Sequence, residues 1–457
     1  MIKQILLWCF VLLLPVSVHA LDLRDAYEAA LKNDAALQVE IKTMEAEKAY
    51  LDQARGYRWP NLNFSSSYSK AEYERLDVRR DMLTLKPYYF TDWINEEYYQ
   101  WAFTLQQPIY DRTVSKRILY AESRVAYYEA RIKKAKQDLT QRVAEAYCKM
   151  LLARDDLNLA IAAEESYKAQ WERLDESLKL GLANKMDMLE AKVRYDMAKA
   201  DVLAKTDTLE AARLALEKIT GLPVELAEVK AFPFGPFDAA GQRQLSAYFS
   251  QSVPPFETWL SLAVQFNLDI KLAQRNVDIA DKQIDMAKAE HFPTLYAVGQ
   301  VSDTDTIGST IAGQDRRGYI KFDLPIFNGG RISAHVKETI YRKEAAQDSK
   351  RDTQRRVEID VRNAWNQYTS LRKRVESLID AQKSAELYLA AAEEGYNLKL
   401  KSLLDVLEAR SRLFQIRRDL ASAFYEDIIA AIQLKSLAGV SDVLLWPDRI
   451  LDMTSAP

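Results

Sequence analysis

Tyr99-Gln100-Trp101-Ala102-Phe103-Thr104-Leu105-Gln106 sets an aromatic or aliphatic side chain at every second position, with amides, a hydroxyl and one alanine between them. A period of two belongs to an extended strand, whose successive side chains point to opposite faces. Aromatics on one face and uncharged polar groups on the other suit a strand that stands between lipid and a wet lumen, where a crossing takes about 9–11 residues. The alternation recurs upstream, with Leu62, Phe64 and Tyr68 set against Asn61, Asn63, Ser65, Ser67 and Ser69. Downstream, Ile320, Phe322 and Leu324 alternate with Lys321 and Asp323, and a weaker strand from Thr294 to Val301 lies beside them. Each run reads as about ten residues long.

A half-buried soluble hairpin would explain either pair alone. The first twenty residues weigh against that reading: Lys3, an apolar run from Ile5 to Leu14, Pro15, then Val18-His19-Ala20 form an export signal with cleavage expected after Ala20. The apolar run is too short to span a bilayer, and no later stretch approaches the ~20 residues a transmembrane helix needs. Leu21 rather than Cys follows the cleavage site, so no N-terminal lipid anchor is expected. Cleavage removes Cys9 and leaves Cys148 in a helical run, where a packed thiol is expected rather than a nucleophile. On an exported chain, two hairpins point to a membrane barrel. Open edges do not survive in lipid and single-chain barrels start at eight strands, so four strands must be completed by other chains.

Around the strands the chain is helical. It has 457 residues, 13 of them Gly and 13 Pro, about half the share of an average protein, and Arg112 to Leu180 contains neither. As one helix that stretch would extend roughly 100 Å. Val357, Val361, Ala364, Tyr368, Leu371, Val375 and Leu378 step by alternating fours and threes, the seam of a coiled coil, and the series moved back along the chain becomes Leu139, Val143, Ala146, Met150, Ala153, Leu157 and Ala160. A second apolar line (Ile118, Val125, Ile132, with Ala121 and Ala135) predicts neighbours on more than one side, hence a sheet or tube of helices. An ordinary two-stranded rod explains the heptads equally well.

The chain is written twice. Gly181-Leu182-Ala183-Asn184-Lys185-Met186-Asp187-Met188-Leu189-Glu190 recurs as Lys399-Leu400-Lys401-Ser402-Leu403-Leu404-Asp405-Val406-Leu407-Glu408, and Gly221 is matched by Gly439. The expected organisation is a signal peptide over 1–20, a first repeat over 21–230, an inter-repeat segment over 231–257 and a second repeat over 258–457. Each repeat reads helix, strand hairpin, long helical hairpin.

With its internal duplication, the strand ends Gln106 to Asp111 (QQPIYD) and Asp323 to Gly330 (DLPIFNGG), the paired turns and the ITGLP run from Ile219 to Pro223, the sequence resembles the TolC family of outer-membrane channel proteins from Leu21 to about Leu451. The resemblance implies a mainly α chain with membrane β structure. Its long coiled-coil helices would form an α-barrel, and its four strands would enter a 12-strand β-barrel shared by a homotrimer. It implies location in the outer membrane with extension into the periplasm, contact with outer-membrane lipid, and an exit duct for efflux or type I secretion. The implied partners are a periplasmic adaptor and an inner-membrane transporter of ABC, RND or MFS type. The alternative is a soluble periplasmic coiled-coil adaptor or scaffold.

The family's aperture residues, carried over position by position, fall on Tyr396, Lys401, Asp405 and Glu408, with Asp187 the acidic partner in the first repeat. Asp405 and Glu408 are three apart and share a helix face, and threefold symmetry would make each a ring of carboxylates that favours cations. Both Asp405 and Asp187 also stand three after a capping residue, Ser402 or Asn184, so a capping box is the competing role. Lys399 replaces the family's usual Gly, and Lys401 a common Arg, which alone offers a planar bidentate contact.

Other chemistry finds little footing. With 63 Lys and Arg against 66 Asp and Glu, the net charge of -3 lacks the basic excess that nucleic acid requires. His291 and His335 lack zinc-site spacing, no Walker loop is present, and no cofactor or catalytic residue is expected. Acidic pairs such as Asp155-Asp156 and Glu393-Glu394 read as solvated helix faces.

Overall fold

The structure, a computed structural model, describes residues 21–224, 229–230, 232, 253–307 and 313–439. The expected signal peptide, most of the inter-repeat segment and the chain after Gly439 lie outside the described residues. Along the chain run α1 (Leu23–Asn33), α2 (Ala35–Gly56), β1 (Asn61–Arg80), β2 (Pro87–Asp111), α3 (Arg112–Lys179) and α4 (Lys185–Thr220). The same order follows again as α5 (Phe256–Phe266), α6 (Leu268–Ala289), β3 (Thr294–Ile307), β4 (Gly313–Asp323), α7 (Arg331–Asn397) and α8 (Leu403–Leu437). Among the described residues no helix is long and apolar enough to cross a membrane.

The chain divides into two units. The first holds residues 1–40, 132–270 and 354–457, the second 41–131 and 271–353.

In the first unit the heptad seam is buried. Val357, Val361, Ala364, Tyr368 and Leu371 of α7 pack with Ala430, Ala431 and Leu434 of α8 and with Trp259 and Ala263 of α5. Leu139, Val143, Met150 and Ala160 of α3 are equally inaccessible, as is Cys148. Where one helix was expected at the start of each repeat there are two, because a capping side chain breaks the run without Gly or Pro. Asp34 Oδ1 accepts the Leu37 N–H (2.8 Å) and Asn267 Oδ1 the Asp269 N–H (2.9 Å), each ending one helix and starting the next. Asp34 is further held by Arg142 through two bonds of 3.0 Å. The pair Asp155 and Asp156 corrects the reading of a solvated face: the Tyr425 hydroxyl donates to Asp155 (2.7 Å) and Lys205 to Asp156 (2.8 Å). Glu393 pairs with Arg410 at 2.5 Å, while Glu394 beside it is exposed as its reading as a solvated face expects.

In the second unit the strands form one antiparallel sheet in the order β1-β2-β3-β4. The register sets Leu62 opposite Leu105, Phe64 opposite Phe103 and Tyr68 opposite Tyr99, Leu105 opposite Gly299 and Phe103 opposite Val301, and Leu295 opposite Phe322. These apolar positions therefore share one face of the sheet, on which Leu62, Phe64, Tyr68, Tyr99, Phe103, Leu105 and Phe322 are exposed and Leu295 is half-buried. Phe64 and Phe103 touch at 4.8 Å between centroids, as do Tyr68 and Tyr99. The opposite face carries Asn63, Ser65, Ser67, Gln100, Thr104 and Gln300. An irregularity between Pro108 and Tyr110 shifts the register of β2 on β3 before pairing resumes with Tyr110 opposite Leu295, as expected where Pro contributes no N–H. Just beyond it Asp111 caps α3, accepting from the Thr113 N–H (2.8 Å) and the Tyr296 hydroxyl (2.7 Å).

The first hairpin departs from its expected length. β1 has 20 residues and β2 has 25, because pairing continues past Lys70, Glu72 and Glu74, where charges interrupt the apolar alternation but not the backbone ladder.

Candidate functional site

The two turns between long and shorter helices lie in the first unit and repeat one backbone design. After α3, the Gly181 N–H bonds Leu178 O (2.9 Å) and the Leu182 N–H bonds Ser177 O (2.8 Å). After α7, the Lys399 N–H bonds Tyr396 O (3.0 Å) and the Leu400 N–H bonds Gly395 O (2.8 Å). Each turn needs a left-handed residue to satisfy the last helical carbonyls. Gly181 supplies it at φ 72° and Lys399 at φ 58°. Leu180, Leu182, Leu398 and Leu400 around these turns are all exposed.

Four of the five expected aperture residues gather at the second turn. Lys401 is exposed; its N–H bonds Gly395 O (3.1 Å), and its stem lies against Gly395, where an added Cβ would meet Lys401 Cγ at 2.9 Å. The Ser402 hydroxyl and the Ser402 N–H (2.9 Å) both donate to Asp405 Oδ2, while the Asp405 N–H returns a bond to the Ser402 hydroxyl (3.2 Å), which closes a capping box. The Ser402 hydroxyl, its N–H and then the nearby Lys401 charge hold the Asp405 carboxyl below its ordinary value. Glu408, one turn further on, is exposed. Tyr396 is half-buried and packs against Ala392, Val406 and Ala409, which makes its ring part of the α7–α8 seam.

Asp187, the fifth, stands half-buried in the first turn of α4. There the Asn184 side chain accepts from the Met186 N–H (3.1 Å), and no capping box is closed. Among the described residues no bond joins Asp187 to the other four. The two hairpins meet instead through Leu403 and Leu407 of α8, which pack with Ala163, Tyr167 and Leu174 of α3 and Ala191 and Ala198 of α4.

Sequence reasoning did not single out three further contacts near these turns. Arg418 of α8 pairs with Asp201 of α4, Arg410 with Glu393, and Trp171 stacks on Tyr195 with centroids 5.6 Å apart and planes 5° from parallel. Only Trp171 carried a signal, as one member of the apolar series on α3. The ion pairs join residues with no short-range spacing to reveal them.

A family model described as "Outer membrane efflux protein" matches residues 26–222 and 259–440. The alkaline protease secretion protein AprF of Pseudomonas aeruginosa is 26% identical, with 96% of this chain and 89% of that protein covered. The outer membrane protein TolC of Escherichia coli is 24% identical, over 92% of this chain and 83% of that protein. Among solved structures, that of CusC superposes with a TM-score of 0.73 at 18% identity, covering 91% of this chain and 92% of CusC. At that identity the superposition establishes the fold.

Proposed function

The chain belongs to the outer membrane efflux protein family, and from that premise we propose that it is a passive exit duct. In this reading it conducts substrates delivered by an inner-membrane transporter across the periplasm and the outer membrane. The sheet carries the reading. Leu62, Phe64, Tyr68, Phe103, Leu105, Ile320 and Phe322 are exposed on one face, and the other carries mainly hydroxyls and amides on β1 and β2 and charged groups such as Arg317, Lys321 and Asp323 on β4. A soluble sheet buries its apolar face and wets its polar one; a wall between lipid and a water-filled lumen does the reverse.

The edges call for other copies of the chain. Among the described residues β1 and β4 each pair on one side only, and lipid tolerates no open edge; the family resemblance makes the closed barrel one of 12 strands from three copies. Residues 1–20 direct export and are removed without N-terminal lipidation. Residues 21–230 and 258–457 are the two repeats, and 231–257 join them. The exposed leucines of the turns are the docking surface for a periplasmic adaptor and, through it, an ABC, RND or MFS transporter. Asp405 and Glu408, with Asp187, form the acidic lining of the aperture, and Lys401 and Tyr396 fix the second turn. AprF carries protease secretion in its name, which favours a polypeptide as cargo.

The test is fractionation of cells expressing the full chain. The duct reading expects mature protein in the outer membrane as a trimer that resists detergent. Recovery in the soluble periplasmic fraction would overturn it in favour of an adaptor or scaffold.

A further inference from the structure

Where sheet and helices join in the second unit, the first repeat holds a cavity of about 650 Å³, within the ~300–1,000 Å³ common for small-molecule sites. Pro60, just before β1, and Pro108, near the end of β2, border it. Asn61 and Gln106 line it from directly opposite positions in the register, on the polar face of the sheet. The cavity therefore opens on the face that the duct reading assigns to the lumen, away from lipid.

Charge singles it out. Arg117, half-buried on the second turn of α3, lines the cavity. Its guanidinium lies 4.5 Å from the Tyr57 ring centroid, and among the described residues it joins no ion pair. The one carboxylate in the lining is Asp111, and both its oxygens are engaged. Oδ1 accepts the Thr113 and Val114 N–H groups (2.8 and 3.2 Å) and Oδ2 the Tyr296 hydroxyl (2.7 Å). A guanidinium stacked on a ring keeps its in-plane N–H edge open, and that edge matches a carboxylate through two parallel hydrogen bonds. Trp59, 74% exposed in the same lining, offers a flat apolar face to an aromatic body.

The internal duplication supplies the comparison. Pro293 and Pro325 stand where Pro60 and Pro108 do, and a second cavity, of about 550 Å³, lies beside Pro325. There Glu290 takes the place of Tyr57, Asp323 that of Gln106 and Ala334 that of Arg117. Both carboxylates line that cavity together with Arg331; Glu290 also lies 3.1 Å from His335 and Asp323 2.8 Å from Lys321. The same joint is thus built with alanine at the position of Arg117, so the fold does not demand an arginine there.

We infer that the first-repeat cavity is a binding site for the carboxylate of an aromatic organic acid, with Arg117 as its anchor and Trp59 stacking on the ring. The inference deepens the duct reading, on which its address in the lumen rests: cargo that carries such a group is held at this joint on its way out.

Isothermal titration of the purified full-length protein with N-acetylphenylalanine and with its neutral amide tests the site. The acid is expected to bind about tenfold more tightly or better, the difference that a hydrogen-bonded charge pair supplies. Arg117→Gln should erase that preference, Arg117→Lys should keep only part of it, and Arg331→Gln in the second cavity should leave it unchanged. Trp59→Ala should weaken acid and amide alike. Pentaglycyl-phenylalanine, as acid and as amide, separates the two sources of the group: the same preference for its acid form assigns the site to a polypeptide end, and its exclusion assigns a free acid. Equal binding of acid and amide by the wild-type chain overturns the site whatever the variants do, as does an equal loss in Arg117→Gln and Arg331→Gln. Recovery of the chain in the soluble periplasm would overturn the duct and leave the titration standing.

Discussion

Lys399 adopts the left-handed backbone conformation, φ 58°, that Gly181 adopts at φ 72° in the corresponding turn of the first helical hairpin. A lysine there carries a cost that glycine avoids, about 1–2 kcal/mol, partly offset because glycine loses more conformational freedom on folding. Lys399→Gly is therefore expected to leave the turn intact and raise stability by up to ~1 kcal/mol. Lys399→Val is expected to lower it by about 1–3 kcal/mol, since a branched side chain tolerates positive φ least. The rate at which a protease nicks the turn in the purified protein distinguishes the two. Equal rates for both variants would show that the turn is held from elsewhere.

Three glycines with positive φ give a graded series, because their surroundings differ. A Cβ on Gly181 meets nothing within 4 Å, one on Gly221 meets Asn33 Cβ at 2.6 Å, and one on Gly439 meets the Phe266 backbone at 2.5 Å. Alanine at Gly181 should cost only the backbone term, ~1–2 kcal/mol. At Gly221 the Asn33 side chain must shift as well, which strains its Nδ2 bond to Thr220 O (2.8 Å). Gly439→Ala should be the worst, since backbone cannot step aside. Thermal unfolding of the purified protein should rank the variants in that order, and a Gly181→Ala as damaging as Gly439→Ala would contradict the steric account.

Asp427 is fully buried and, among the described residues, neither carboxylate oxygen has a hydrogen-bond partner. Burial pushes its carboxyl up to about 7, against an opposing pull from Arg372. With the folded value raised above that of the unfolded chain, the native state holds its proton between about pH 4 and pH 7 while the unfolded state releases it. Stability therefore falls as pH rises through that window, by on the order of 2–4 kcal/mol. Asp427→Asn should be more stable than wild type at pH 8 and show a flatter profile. Denaturant midpoints measured from pH 5 to pH 8 decide it, and parallel curves for the two proteins would exclude Asp427 as the source.

What the residues revealed in advance depended on the range of the interaction. The long helices and the strand faces were legible because heptad and two-residue periods are local, and Leu62, Phe64 and Tyr68 fall on the side their spacing required. The distal half of the first hairpin was hidden: Lys70, Glu72 and Glu74 break the apolar alternation there, while backbone pairing continues to Arg80 and Pro87. The helix breaks at Asp34 and Asn267 were missed because a side-chain cap, not Gly or Pro, makes them. Asp155 and Asp156 read as solvated because their partners, Tyr425 and Lys205, lie 270 and 49 residues away. Tyr396, Lys401, Asp405 and Glu408 share one turn, so the sequence could group them. Their relation to Asp187 is set by how α8 packs on α3 and α4.

The aperture role proposed for Asp405 can be separated from helix capping. Its depressed carboxyl keeps the charge down to a pH below the ordinary carboxylate range, so the carboxylate ring proposed at the aperture should favour cations across neutral and mildly acidic conditions. Asp405→Asn combined with Glu408→Gln should shift the reversal potential of planar-bilayer currents in a salt gradient toward nonselectivity. Ser402→Ala removes the cap but leaves both charges. It should cost ~1 kcal/mol of stability and preserve selectivity at neutral pH. It also deletes the hydroxyl donor that depresses Asp405, so selectivity should disappear at a higher pH than in wild type. Pore lining and capping thus predict opposite patterns. If the amide pair leaves the reversal potential where it was, both residues belong to the helix start alone; if Ser402→Ala abolishes selectivity at neutral pH, the cap positions the ring rather than merely stabilising the turn.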